Sequence, residues 1–148
     1  MAQNKQVFEN VLDLIGNTPL IKLNKMTSEY KADFFAKVEA FNPGHSSKDR
    51  IALYIIEQAE KQGIIKPGDT IIETTSGNTG FSIAMVSVIK GYDCILAVSS
   101  KSSADKIDML KNMGAKVYVC PANVSADDPR SYYQVAKRLH DEIKGSVY

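Results

Sequence analysis

The sequence has little of several things: no excess charge of either sign, few cysteines and histidines, no long apolar run. Eighteen basic residues face seventeen acidic ones, a net charge of +1, so nucleic acid is not an expected partner. The longest apolar stretch, Phe81–Ile89, is broken by serines and is far too short to span a bilayer, so no membrane partner is expected either. The first ten residues are polar and include Glu9, which fits neither a signal nor a transit peptide. Cys94 and Cys120 lie far apart, with no C-x-x-C and no paired histidine beside them. No metal site is expected on that pattern, and the thiols read as reduced, buried and cytoplasmic. There is no low-complexity tract, and 148 residues of ordinary composition suit one compact domain with a real core.

What is there is an alternation of short β and helical patterns. A short irregular or helical lead-in is expected over Asn4–Leu14, then a turn at Ile15–Leu20 and a strand at Leu20–Leu23. A polar connection, Lys25–Ala32, leads to a strand at Asp33–Ala40. Ile51, Ile55, Ile56 and Ala59 then recur at helical spacing until Gly63. Strands follow at Asp69–Glu73, Cys94–Val98 and Lys116–Cys120, apolar or β-branched in their centres, as strands covered on both faces must be. Between them lie a helix at Gly80–Lys90, apolar on nearly every side and stopped by Gly91, and one from a capping box at Ser102–Asp105 to Met113. The last helix is expected to open with Asp128 as N-cap and Pro129 at its first position, and to run to Ile143. Short loops between alternating elements predict an α/β fold: a parallel sheet flanked by helices on both faces, joined by right-handed crossovers.

Two loops carry candidate chemistry. Phe41–Arg50 is a strand-to-helix elbow with Lys48 in the first turn of the helix. A helix N-terminus disfavours an ammonium, and burial disfavours it further, which pushes a lysine towards the neutral amine that attacks aldehydes. The alternative is a solvated lysine opening an ordinary surface helix. Glu73–Gly80 joins a buried strand to the buried helix, where carboxyl ends of parallel strands gather ligands. Gly77 and Gly80 allow close approach; Thr75, Ser76 and Thr79 bring hydroxyls and Asn78 an amide, all near amides that favour an anion. The alternative here is a polar loop satisfying a helix end, with Ser76 or Asn78 as the cap.

With both loops in view the chain resembles the cysteine synthase and cystathionine β-synthase family, pyridoxal-phosphate enzymes of fold type II (the tryptophan synthase β-like fold). The matching residues are Ile15–Leu20, Asn42-Pro43-Gly44 with Ser46, Lys48-Asp49-Arg50, Lys66–Thr70 and, above all, Thr75–Gly80. The resemblance runs over nearly the whole chain. It implies that Lys48 holds pyridoxal 5′-phosphate as a Schiff base and shuttles the substrate α-proton, and that Asn78 bonds the cofactor's 3′-oxygen. Thr75, Ser76, Gly77 and Thr79 match the loop that grips the substrate carboxylate. The implied reaction is β-replacement on serine or O-acetylserine, a thiol or sulfide being the second substrate, in cysteine and sulfur amino-acid metabolism. Family members are typically homodimers.

Some positions depart from the commonest family pattern: His45, Ser47, Thr74 and Ser99-Ser100. They bear on substrate preference more than on chemistry, and His45 reads as a loop residue. The family fold has two domains, and this sequence matches the N-terminal one. No second glycine-rich run follows Gly80 to cradle the cofactor's phosphate. Residues 1–40 are expected to pack on the second domain and 41–148 to form the small α/β domain, leaving exposed apolar surface when the chain stands alone. Beside β-replacement, two readings stay open: dehydratase-type β-elimination, or a catalytically silent, truncated module that binds a full-length relative.

Overall fold

A computed structural model describes residues 7–75 and 77–148. Of the lead-in, residues 4–6 lie outside that range; Val11–Leu14 forms a 3-10 turn capped by Asn10, whose side chain accepts from the Leu12 amide. Strands β1 (Leu20–Leu23) and β2 (Phe34–Lys37) pair antiparallel as a separate ribbon. The second strand is shorter than its composition suggests, because Glu39–Phe41 turns into a 3-10 segment before the elbow.

The body of the chain is β3 (Thr70–Thr74), β4 (Asp93–Ser99), β5 (Lys116–Cys120) and β6 (Ser146–Val147), a wholly parallel sheet in the order β5-β4-β3-β6. Helices α1 (Lys48–Lys61), α2 (Asn78–Lys90), α3 (Ala104–Asn112) and α4 (Tyr132–Glu142) connect and cover it. The pleat sorts the strand residues by parity. Ile71, Cys94, Leu96 and Val98 join one core with Ala52 and Ile56 of α1, Ile83–Val86 of α2 and Leu110 of α3. Ile72, Ile95 and Ala97 join the other with Val135, Ala136 and Leu139 of α4. Helices on both faces of a parallel sheet are what the alternation predicted. No helix among the described residues is long and apolar enough to cross a membrane.

Three local expectations need correction. Helix α4 begins at Tyr132, not after Asp128, and Ser131 is its N-cap, accepting from the Gln134 amide at 3.2 Å. The Asp128 carboxylate instead holds the Arg130 guanidinium and backbone amide, so Asp128-Pro129 is a turn ahead of the helix. Ser103 stands at the N-cap of α3 but makes no capping bond, so the expected capping box does not form. The apolar helix is buried over Ser82–Ser87, yet Val88 and Ile89 emerge at the surface as α2 runs out to Gly91. Gly91 closes the helix in the left-handed conformation, φ 79°, as a glycine stop should.

Candidate active site

The elbow and the loop meet where α1 and α2 begin. Asp49, the second residue of α1, is wholly buried. Its Oδ2 accepts from the Gly44 amide at 2.5 Å, and its Oδ1 from the Ser82 hydroxyl at 2.5 Å. The Ser82 hydroxyl also lies 3.0 Å from the carbonyl of Asn78, one turn earlier on α2. Lys48, at the first position of α1, is half-buried, and its amide donates to the Ser46 hydroxyl at 3.1 Å. Among the described residues its ammonium makes no ion pair.

Arg50 fastens the elbow to the segment before β1. Its guanidinium grips both oxygens of Glu39 (Nε to Oε2 2.8 Å, Nη2 to Oε1 3.0 Å) and donates to the Gly16 carbonyl at 2.8 Å. The Thr18 hydroxyl and the Asn42 amide donate to the same carboxylate, and Asn42 Oδ1 accepts from the Gly16 amide. Arg50 foremost, then Thr18, pulls the Glu39 carboxyl from its ordinary 4.5 down to about 2. A depressed carboxyl stabilises the fold above its unfolded value, and that contribution is lost as pH falls through the folded one. Wild-type stability should therefore drop between pH 4.5 and about 2 more steeply than that of Glu39→Gln, read from urea midpoints across that window. Parallel slopes would show the network to be idle. The Gly16, Thr18, Asn42 and Arg50 members belong to motifs that sequence reading noted without giving them a task.

The loop after β3 is built around Thr75. Its buried hydroxyl accepts from the amides of Gly77 (3.3 Å) and Gly80 (3.0 Å), so among the described residues Thr75, not Asn78, satisfies the start of α2. Ser76 lies outside the described residues. The amides of Asn78 and Thr79 find no acceptor among the described residues, an arrangement that favours an anion. Gly77 and Asn78 are exposed, Thr79 is half-buried, and no atom would meet a Cβ on Gly77 within 4 Å. Thr75, Gly77 and Asn78 line a cavity of about 240 Å³ together with Gly44 and His45 of the elbow. Its far wall is largely apolar: Phe81 of α2, Val98 of β4 and Ile107 and Leu110 of α3. Lys48 and Thr79 do not line it. His45 sits at φ 56° with its ring Nδ1 3.1 Å from the Ala40 carbonyl, an exposed turn residue on the cavity rim.

Among the described residues the donors suit the reactive end of an aldehyde cofactor: the primary amine of half-buried Lys48 with no carboxylate paired to it, the Asn78 carboxamide with no partner, and two amides with no acceptor. Cys94 and Cys120 play no part in this corner; both are buried and unpaired, and burial pushes the Cys94 thiol up to about 12.

Residues 11–148 match the family described as pyridoxal-phosphate dependent enzyme. Cystathionine β-synthase of Oryctolagus cuniculus is 43% identical over 148 residues, which is 99% of this chain and 27% of that protein. The Dictyostelium discoideum enzyme of the same name is 46% identical over 142 residues, 96% of this chain and 28% of the relative. Cysteine synthase 1 of Emericella nidulans is 40% identical across all of this chain and 40% of its own length. Among solved structures, a hydrogen sulfide-producing enzyme from Fusobacterium nucleatum superposes with a TM-score of 0.86 at 34% identity, covering 99% of this chain and 46% of that one. An O-ureido-L-serine synthase gives 0.83 at 36%, covering 93% and 42%. The chain thus spans less than half the length of these relatives, and the family match over residues 11–148 takes in both loops described above. It belongs to the pyridoxal-phosphate dependent enzyme family.

Proposed function

We propose that this chain supplies the lysine-bearing half of a pyridoxal-phosphate site for β-replacement on serine or O-acetylserine, with sulfide or a thiol as second substrate. The observation that carries the reading is the junction of α1 and α2, where Asp49 and Ser82 hold the Lys48 turn against the Asn78 turn. When bound, the cofactor supplies an electron sink for the amino acid's α-carbon. Lys48 would hold that cofactor through its aldehyde carbon, and its amine would serve as the base for the α-proton. The Asn78 carboxamide orients the cofactor ring through its 3′-oxygen. The Asn78 and Thr79 amides, with the Thr75, Ser76 and Thr79 hydroxyls and the open backbone at Gly77, receive the substrate carboxylate. The apolar cavity wall keeps water from that carboxylate's neighbourhood.

Residues 1–40 pack, on this reading, against a second domain, and 41–148 form the small domain. The exposed faces of Leu20, Ile21, Phe34 and Phe35 support that division. The same faces favour a second reading, a silent module completed by another polypeptide. A homodimer follows from family resemblance, and the two buried free thiols favour the cytoplasm. The test is chemical. The chain is incubated with pyridoxal phosphate, reduced with borohydride, and digested for peptide mass. A pyridoxyl group concentrated on Lys48 is the expected result, whereas even labelling of surface lysines would sink the proposal.

A further inference from the structure

The buried Asp49 carboxylate has no part in the chemistry just proposed, yet it ties the elbow to α2. Each of its oxygens is occupied: Oδ2 by the elbow amide of Gly44, Oδ1 by a hydroxyl of α2. The fit leaves no slack, since a Cβ on Gly44 would stand 2.3 Å from Oδ1. A fully buried carboxylate with two donors from different segments is costly to disturb, because freeing either donor leaves a polar group unpaired.

We propose that Asp49 is a positioning residue, clamping the elbow ahead of Lys48 to the first turns of α2 so that the lysine and the Asn78 loop form one rigid piece. Its functional weight rests on the reading that Lys48 is the cofactor-bearing lysine; the clamp itself does not. A carboxylate received by the Asn78 and Thr79 amides then meets the amine in one fixed arrangement. Without the clamp the two halves would have to find their register separately in each encounter, and placement is a large part of what a site of this kind contributes.

Two measurements on the same variants separate the clamp from the cofactor reading. Amide hydrogen exchange of the cofactor-free chain reads the clamp across helices. Ser82→Ala alters only α2, yet exchange at Gly44 and Lys48 of the elbow should rise roughly tenfold or more. Asp49→Asn should stay close to wild type, since its carboxamide can accept from Gly44 and donate to the Ser82 oxygen. Asp49→Ala should match or exceed Ser82→Ala; if it fails to fold, Ser82→Ala still decides. Unchanged exchange at Gly44 and Lys48 in Ser82→Ala would overturn the clamp. The second measurement is the rate of borohydride-trapped pyridoxyl labelling at Lys48. It should fall about tenfold in Ser82→Ala and recover in Asp49→Asn, with labelling of surface lysines unmoved. A wild-type chain whose Lys48 is not labelled selectively defeats the proposed function and leaves the exchange result to judge the clamp. Selective labelling that Ser82→Ala leaves untouched defeats the positioning role.

Discussion

Lys48→Ala should abolish the yellow complex with pyridoxal phosphate, leaving only weak and scattered labelling of other lysines after borohydride. The loss is all-or-none because the residue supplies the one bond that no neighbour can replace. Of the other cations in the described part of the corner, Arg50 is fully engaged with Glu39 and the Gly16 carbonyl, and Lys106 of α3, which lines the cavity, should take only the scattered labelling. Asn78→Ala should behave differently. It removes one hydrogen bond to the ring, worth about 1 kcal/mol, so binding should weaken roughly five- to tenfold and the absorbance band should shift without vanishing. Absorbance titration of the three proteins distinguishes these outcomes. Equal colour in wild type and Lys48→Ala would remove the covalent role.

Gly80→Ala carries the largest expected cost in stability. Intrinsic propensity argues the other way, since alanine is about 1 kcal/mol better than glycine inside a helix. Here, however, a Cβ would stand 2.2 Å from Cγ2 of Thr75, inside a buried contact. Thr75 has little freedom to retreat, because its hydroxyl caps the Gly77 and Gly80 amides. Overpacking of this kind costs about 1–3 kcal/mol and a disturbed cap about 1 more, so the net change should be a loss of about 1–3 kcal/mol. Thr75→Ser deletes the offending methyl while keeping the capping oxygen. The double variant should therefore recover most of the loss, a coupling that urea midpoints for the four proteins would measure. A Gly80→Ala chain as stable as wild type would show that the loop yields easily.

Legibility from sequence varied with the kind of signal. The strand Lys116–Cys120 was readable to the residue, because a β-branched run between a glycine stop and a proline has one reading. The start of α2 was placed two residues late, at Gly80, since Asn78 and Thr79 carry no apolar periodicity although they are already helical. At α4 two caps competed three residues apart; Asp128 lost because its carboxylate is taken by Arg130, a contact that no local pattern announces. β6 is too short to leave any mark in composition. Within the site, Lys48 and the Thr75–Gly80 loop were visible as residue types in telling places. Their binding together through Ser82 was not, since a serine in an apolar run reads as an interruption until the facing helix is known.

The seam between β3 and β6 bears on how the candidate site is assembled in time. β3 delivers the loop to its place, yet one of its two flanks is closed by Ser146 and Val147, and the Thr70 amide reaches to the carbonyl of Gly145. Pairings between residues so far apart along the chain form late, because the ordering of everything between them comes first. Until then β3 is a border strand with unpaired amides on one side, open to strangers during synthesis. The strand that presents the Thr75–Gly80 loop is thus among the last to be sealed.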